Sequence, residues 1–110
     1  MDIKHAIRYL RKKNGWTQQQ LADFSHTTKS NISNLENGNQ GYSPAILQNL
    51  AKAFSCPVSH IFLLAENLNE AGDLPEDWDK LPIDVLFTQL PNDIQNSMLD
   101  LMKNILRVTK

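Results

Sequence analysis

The sequence is poor in the features that mark several protein classes. It has one cysteine, Cys56, so it offers no disulfide framework and gives no sign of an oxidising compartment. Four glycines and five prolines in 110 residues exclude a collagenous or low-complexity chain. No apolar run approaches the roughly 18 residues that a membrane-spanning helix needs, and the first residues lack the apolar stretch of a signal peptide. These absences predict a soluble, cytoplasmic protein with no membrane partner.

Residues that build catalytic or metal centres are also sparse. His5, His26 and His60 are dispersed, and no cysteine or carboxylate cluster accompanies them at metal-ligand spacing. Cys56 stands beside Pro57, where a buried structural thiol is the ordinary expectation. We therefore expect no catalytic residue, no metal and no cofactor, and a protein that is not an enzyme.

Charge is unevenly distributed, although the net charge is only −1. Up to residue 64 the chain has seven lysines and arginines against three acidic residues, and after it four against nine. The first segment therefore carries +4 and the remainder −5. This division suits a basic segment that faces a polyanion, joined to an acidic segment that does not.

Residues 3–64 follow the period of short helices and show no strand-like alternation over a useful length. In the first helix, Ile3, Ile7 and Leu10 share one side, and Asn14-Gly15 then supplies residue types that tolerate positive φ after a helix. The segment is therefore predicted to be all-α.

The second and third helices are each preceded by a threonine whose side chain can accept a hydrogen bond from a free backbone N–H group. Thr17 and Gln20 have the spacing of a capping box, which starts helix 2 and leads to an end near Ser25. Thr28 is placed to cap helix 3, which is predicted over Lys29–Asn37. A short turn therefore separates the two helices.

The later boundaries are marked by glycine and proline. Gly38 is placed to close helix 3. Ser43-Pro44 is a cap followed by proline at the first helical position, so helix 4 is predicted to run from there to about Phe54. Pro57 begins a fifth helix, which completes a five-helix bundle.

Two short helices joined by a turn inside such a bundle are typical of a helix-turn-helix. The two helices contain the stretches Gln18-Gln19-Gln20-Leu21-Ala22 and Thr27-Thr28-Lys29-Ser30-Asn31-Ile32-Ser33-Asn34-Leu35-Glu36-Asn37-Gly38. Through these stretches, residues 3–64 closely resemble the lambda-repressor-like (XRE-type) helix-turn-helix family of phage and bacterial repressors.

Two positions depart from the family pattern. His26 stands where glycine is most common, so we expect it to adopt a left-handed conformation at a cost of about 1 kcal/mol. Ser25 stands where an apolar residue is usual, and Phe24 or Trp16 is expected to fill the space.

The resemblance implies that the solvent side of helix 3 enters the major groove of DNA, where base edges differ in donor and acceptor pattern. The implied base-contacting residues are Lys29, Ser30, Ser33 and Asn34. Lys29 has a donor for guanine, and Asn34 has the paired donor and acceptor for adenine. Outside such a bundle, the same residues would be an ordinary solvated polar surface.

Contacts with the DNA backbone are implied at the start of helix 2 and in the loop after helix 3. The implied residues are Thr17, acting mainly as a cap, Gln18, Asn39, Gln40 and Tyr42. Arg11 and Glu36 match positions that commonly form an internal ion pair. A remaining N–H of Arg11 would still be available to a phosphate.

The chain beyond this bundle changes character. Residues 65–81 are predicted to be an acidic linker, in which Gly72 and Pro75 discourage a continuous helix. Residues 82–90 contain enough apolar side chains for a short helix. Asn92 is then placed to cap a final helix that begins at the next residue.

An apolar stripe runs along the final helix, with spacings of four, three, four and three residues. It consists of Ile94, Met98, Leu101, Ile105 and Val108, and Leu99, Met102 and Leu106 widen it. So much apolar surface requires cover, either by the preceding short helix or by a second copy of the chain. We expect a compact helical homodimer.

These patterns together predict an all-α protein with three parts. A five-helix lambda-repressor-like DNA-binding bundle occupies residues 1–64, a short linker 65–81 and a C-terminal helical dimerisation segment 82–110. The expected function is that of a phage-type or bacterial repressor that binds a palindromic operator in double-stranded DNA as a homodimer. The alternatives are an antitoxin, a restriction-modification controller, and a protein-interaction module whose last helix binds a toxin or antirepressor.

Overall fold

Seven α-helices make up most of the regular structure in residues 2–109, the part of the chain that the computed structural model describes. They are Lys4–Lys13 (α1), Gln18–Phe24 (α2), Lys29–Asn37 (α3), Pro44–Ala53 (α4), Val58–Asn67 (α5), Ile83–Thr88 (α6) and Asn92–Thr109 (α7), with one 3₁₀ turn at Trp78–Lys80. No strand occurs in this range, which confirms the predicted all-α class. None of these helices is both long enough and apolar enough to cross a membrane. The chain divides into two compact units, one ending at Trp78 and the other beginning at Asp79.

Three helices begin at the caps that the sequence predicts. Thr17 Oγ1 accepts a hydrogen bond from the Gln20 N–H at 3.1 Å, and the Gln20 side chain accepts one from the Thr17 N–H at 2.9 Å, which completes the capping box of α2. Thr28 Oγ1 accepts from the Asn31 N–H at the start of α3, and Ser43 caps α4 in the same way. Each cap satisfies an otherwise free donor and contributes about 1 kcal/mol.

Four helices end with a residue of positive φ, after which an N–H donates to the carbonyl five residues earlier at 2.9 to 3.1 Å. The left-handed residues are Gly15, His26, Gly38 and Ser55. His26, with a φ of 57°, has the conformation that its place in the turn predicts. Ser55, with a φ of 54°, takes the same conformation although serine carries no strong sequence signal for it.

The first unit is organised around one apolar core to which all five of its helices contribute. Helix α1 packs against α3 and α5, and α2 packs against α3 and α4. The helices α1 to α5 each contribute a completely buried side chain, in order Ile7, Leu21, Ile32, Leu50 and Ile61. Burying each of these side chains contributes roughly 1.5–3 kcal/mol, so the core fixes the mutual arrangement of the helices.

Cys56 packs against this core in the turn before α5. Burial raises the pKa of its thiol to about 11. The thiol is therefore almost fully protonated at neutral pH and is a poor nucleophile, in keeping with a structural role.

Ser25, which stands where the family usually has an apolar residue, lies close to a group of aromatic side chains. Ser25 is completely buried at the end of α2. The Trp16 ring lies 4.8 Å from the Phe24 ring and 5.9 Å from the Phe54 ring, measured between centroids. Phe24 remains half exposed, so Trp16 is the aromatic side chain that connects the α2 region to the core.

Replacing Ser25 with alanine should raise the free energy of unfolding by about 1 kcal/mol, because a buried hydroxyl without a hydrogen bond costs stability. Among residues 2–109 no group bonds to Ser25 Oγ. Urea unfolding followed by circular dichroism measures the change. Ser59→Ala, at an exposed position of α5, is the matched control and should stay within about 0.5 kcal/mol of the parent. A loss of stability in Ser25→Ala would show that the hydroxyl is bonded in solution.

The end of the first unit differs from the predicted boundary at residue 64. Helix α5 continues to Asn67, and both Ala65 and Leu68 pack against the core. The chain then turns tightly at Gly72, which has a φ of 85° and whose Cβ, if present, would lie 3.0 Å from His5 Nδ1 on α1. The first part of the expected linker therefore belongs to the folded unit, because its apolar side chains extend the core.

The second unit contains α6 and α7. Val85 and Thr88 on α6 are buried, whereas no residue of α7 is. Helix α7 begins at Asn92, because the Pro91 carbonyl already accepts a hydrogen bond from the Gln95 N–H at 2.9 Å. Asn92 is therefore the first residue of the helix, and its predicted role as the cap is wrong.

Candidate nucleic-acid interface

Helix α3 packs against the bundle through one side and is accessible on the other. Ile32 and Leu35 are buried in the core. All four residues that the sequence singles out for base contacts are accessible: Lys29 and Ser30 are exposed, and Ser33 and Asn34 are partly exposed. The accessible side is polar over two turns, which matches the surface that a major groove would meet.

Hydrogen bonds hold part of this polar surface in place. Asn34 Nδ2 donates to Gln40 Oε1 at 3.3 Å, which joins α3 to the loop that follows it. Asn37 Nδ2 donates to Ser33 Oγ at 3.4 Å and is itself exposed. From the sequence, Asn37 is expected only as the last residue of the helix. Its position four residues after Ser33 is the signal that could have placed it on the same surface.

The start of α3 carries a further asparagine that the sequence argument did not select. Asn31 Nδ2 donates to Thr27 Oγ1 at 2.8 Å, while the Asn31 N–H is bonded to the Thr28 cap. The two bonds hold the first turn of α3 through both the backbone and the side chain of Asn31. The spacing of four residues from Thr27 could have indicated this contact.

An open cavity of about 370 Å³ lies between the start of α3 and the start of α4. It is lined by His26, Thr27, Asn31, Gln40, Gly41, Ser43, Ala45, Ile46 and Asn49. The lining is mainly polar, with backbone and amide groups suited to hydrogen bonds and no acidic side chain. A cavity of this composition beside α3 can receive a phosphate group without charge repulsion.

A buried ion pair joins α1 to α3. Arg11 Nε donates to Glu36 Oε2 at 2.7 Å, and Arg11 Nη2 donates to Glu36 Oε1 at 2.9 Å, so the pair is bidentate. Arg11 Nη1 also donates to the Trp16 carbonyl at 2.9 Å. The Arg11 and Glu36 side chains are only 12% and 3% exposed. The pair therefore acts as a structural link between helices.

The same network includes the residue predicted to contact the DNA backbone from α2. Gln18 Nε2 donates to Glu36 Oε1 at 3.4 Å, which connects α2 to α3 through the glutamate. Gln18 is partly exposed and keeps a second amide hydrogen and a carbonyl for other partners. Arg11, with three donor atoms engaged and little exposure, offers much less to a ligand.

The predicted residues of the loop after α3 are in different environments. Asn39 and Gln40 are exposed. The Tyr42 ring is partly buried and meets the Phe62 ring edge-on, with centroids 6.0 Å apart. The loop thus presents amide side chains to solvent and is anchored to the core through Tyr42.

A second surface lies on α7. The predicted dimerisation residues remain accessible, with exposures from 39% at Met98 to 87% at Val108. The others are Ile94, Leu101, Met102 and Ile105. Such an accumulation of exposed large apolar side chains is typical of a surface that another protein covers.

Within the part of the chain that the structure describes, no group of three or more histidine, cysteine, aspartate or glutamate side chains could hold a metal ion.

Comparison with known proteins agrees with this geometry. A family model for the helix-turn-helix matches residues 7–61, which include α2, α3 and the turn between them. The chain is 64% identical, over the whole length of both proteins, to the competence pilus inhibition repressor of Acinetobacter baylyi. No solved structure matches the chain. The matched segment coincides with the bundle that supports the polar surface of α3, and the chain therefore belongs to the helix-turn-helix family of the lambda-repressor-like type.

Proposed function

We propose that this protein is a transcriptional repressor that binds a specific DNA operator as a homodimer. The observation that carries the proposal is the accessible polar side of α3, held on the bundle by its buried opposite side and by the Arg11–Glu36 pair. The full-length similarity to a protein named a competence pilus inhibition repressor supports repression as the outcome. The same similarity favours genes of a competence pilus as the regulated target.

In the proposed complex, α3 lies in the major groove and contacts base edges through its exposed side chains. Asn34 is suited to a bidentate pair with adenine N6 and N7, and Lys29 to the O6 and N7 acceptors of guanine. Ser30 and Ser33 add hydroxyl groups that can donate or accept. Asn34 Nδ2 has a second hydrogen besides the one donated to Gln40, so the loop after α3 can hold this side chain while it pairs with a base.

Contacts with phosphates fix the position of α3 on the duplex. Gln18, beside the Thr17 cap, is proposed to bond a phosphate from the start of α2, while Glu36 holds its side chain. The loop side chains Asn39 and Gln40 face a second stretch of backbone. The loop residue Tyr42 and the α1 residue Arg11 contribute mainly by holding these elements, and an N–H of Arg11 outside its bonds to Glu36 and Trp16 is a further donor for a phosphate.

A dimer explains how so short a reading helix specifies one operator. A single α3 contacts a short half-site, whereas two copies related by a two-fold axis contact a palindrome with half-site centres about 34 Å apart. The exposed apolar face of α7 is the surface proposed to join the copies. The net charge of −5 after residue 64 comes entirely from residues 65–78, so we expect that acidic stretch to lie away from the DNA.

The proposal is tested by replacing Asn34 with alanine and measuring affinity for an operator selected from random duplexes. We expect a loss of about 1–3 kcal/mol and a relaxed preference at one base position, because the bidentate pair is removed. Fluorescence anisotropy at fixed salt gives the affinities. Gln48→Ala, on the exposed side of α4 and outside the cavity beside α3, is the control and should bind as the parent does.

Two results would contradict the assignment. If Asn34→Ala kept both affinity and base preference, α3 would not be the reading helix. If the parent chain bound no duplex at low ionic strength, where phosphate contacts are strongest, the proposed function itself would be wrong.

A further inference from the structure

We infer that the two α7 helices of the dimer pack antiparallel, with Leu101 at the two-fold axis. The inference rests on the proposed function for the existence of the dimer and adds its geometry. It concerns a surface that the helix-turn-helix unit does not explain, since no residue of α7 is buried and its apolar side chains face solvent.

The apolar face runs the whole length of α7, about 27 Å at 1.5 Å per residue. Ile94 is 43% exposed near one end, Leu101 is 60% exposed in the middle and Val108 is 87% exposed near the other end. Every residue of the stripe is therefore at least about a third exposed, from one end of the helix to the other. Only an elongated partner, such as another helix of similar length, can bury all of it at once.

The charges of α7 are divided between its two halves. Asp93 and Asp100 lie in the first half, and Lys103 and Arg107 lie in the second. Two parallel copies would place acidic half beside acidic half and basic beside basic. Two antiparallel copies place each acidic half beside the basic half of the other, and the helix dipoles also oppose each other.

The charge distribution of α7 goes beyond the placement of charges at its two ends, which stabilises a single helix through its dipole. Asp93 and Arg107 lie within the first and last turns, where they favour the helix dipole of their own chain. Asp100 and Lys103 lie in the middle, where that effect has faded. Asp100 precedes Lys103, so the middle of α7 also runs from acidic to basic. The whole helix is therefore complementary in charge to a reversed copy of itself, which favours a second copy of the chain as the partner that covers the apolar face.

The apolar spacing is also symmetric about one residue. Leu101 is seven residues from Ile94 and seven from Val108. In an antiparallel pair centred on Leu101, that residue faces its own counterpart and Ile94 faces Val108 of the other copy. Met98 of one copy and Ile105 of the other then lie within about one residue of each other along the helix axis, so each copy covers the stripe of the other.

Disulfide cross-linking of the full chain distinguishes the orientations. In a Cys56→Ala background, Ile94→Cys and Val108→Cys are made as separate proteins, one of them with a tag that changes its mass, and are mixed, equilibrated and mildly oxidised. An antiparallel pair brings the two cysteines together, so the mixed disulfide should form at least about ten times more than either self-linked product. In that pair the identical positions are about 21 Å apart at 1.5 Å per residue, whereas a disulfide requires Cα atoms within about 7 Å.

Leu101→Cys is the control, because it cross-links to its own copy in either orientation. Self-linking of Ile94→Cys and of Val108→Cys with little mixed product would show a parallel pair, and equal yields of all the products would show no fixed orientation; either result would overturn the inference. Absence of all three products, or a monomer in light scattering, would show that a different partner covers α7. Operator binding of the same reduced proteins is measured in parallel: if it is retained, only the geometry of α7 is wrong, whereas its absence in the parent chain would count against the proposed function.

Discussion

Replacing Glu36 with alanine is expected to lower the free energy of unfolding by about 3–5 kcal/mol, because it leaves a buried guanidinium without its carboxylate. Arg11 is only 12% exposed and donates two hydrogen bonds to Glu36, so it can regain little hydration where it lies. Small domains have about 5–15 kcal/mol in total, so the variant should be close to the limit of folding. Urea unfolding followed by circular dichroism at a fixed protein concentration measures the loss.

The matched control removes both charges. The double variant Arg11→Met with Glu36→Leu leaves no buried ion alone and should recover most of the loss, because apolar replacement of a whole buried pair is often neutral or stabilising. If Glu36→Ala cost less than about 1 kcal/mol, the pair would behave as an exposed surface pair, contrary to its burial. If the double variant were as unstable as the single one, the loss would reflect packing and not an unpaired charge.

Replacing Leu101 with aspartate is expected to reduce affinity for a palindromic operator by about 100-fold or more, because it separates two half-site contacts that act together. The substitution puts a carboxylate at the centre of the proposed apolar contact, where its desolvation opposes association. Light scattering should show the loss of the dimer, and anisotropy with a palindromic and a single half-site duplex should show that only the palindrome is affected.

Asn96→Asp is the control for that experiment. It introduces a carboxylate on the same helix at an exposed position outside the apolar stripe, so it should leave both dimer and operator affinity near the parent values. Equal weakening by Asn96→Asp would indicate a general charge effect. A Leu101→Asp protein that remained a dimer would place the association surface elsewhere than on α7.

The local parts of the fold follow from the sequence because their causes lie within a few residues. Helix α3 has the predicted bounds, since Thr28 caps it and Gly38 allows the chain to leave it. His26 takes the left-handed conformation that its match to a glycine position of the family implies. In each case the signal is a side chain or a backbone preference that acts on its immediate neighbours.

The contacts that shape the candidate site are different, because they join separate helices and loops. The bonds from Gln18 to Glu36 and from Asn34 to Gln40 depend on how helices and loops pack, and no local pattern specifies them. The extension of α5 to Asn67 likewise arises from core packing. The family resemblance supplied the Arg11–Glu36 pairing, which spacing alone would not have given.

The hydrogen bond between Asn34 and Gln40 has an evolutionary consequence under the proposed function. Gln40 lies outside α3, yet it holds the side chain of Asn34, which is proposed to contact a base. A substitution at residue 40 can therefore change which operator is preferred while every residue of α3 stays the same. Divergence among duplicated regulators of this kind can begin in a loop, where sequence change endangers folding least.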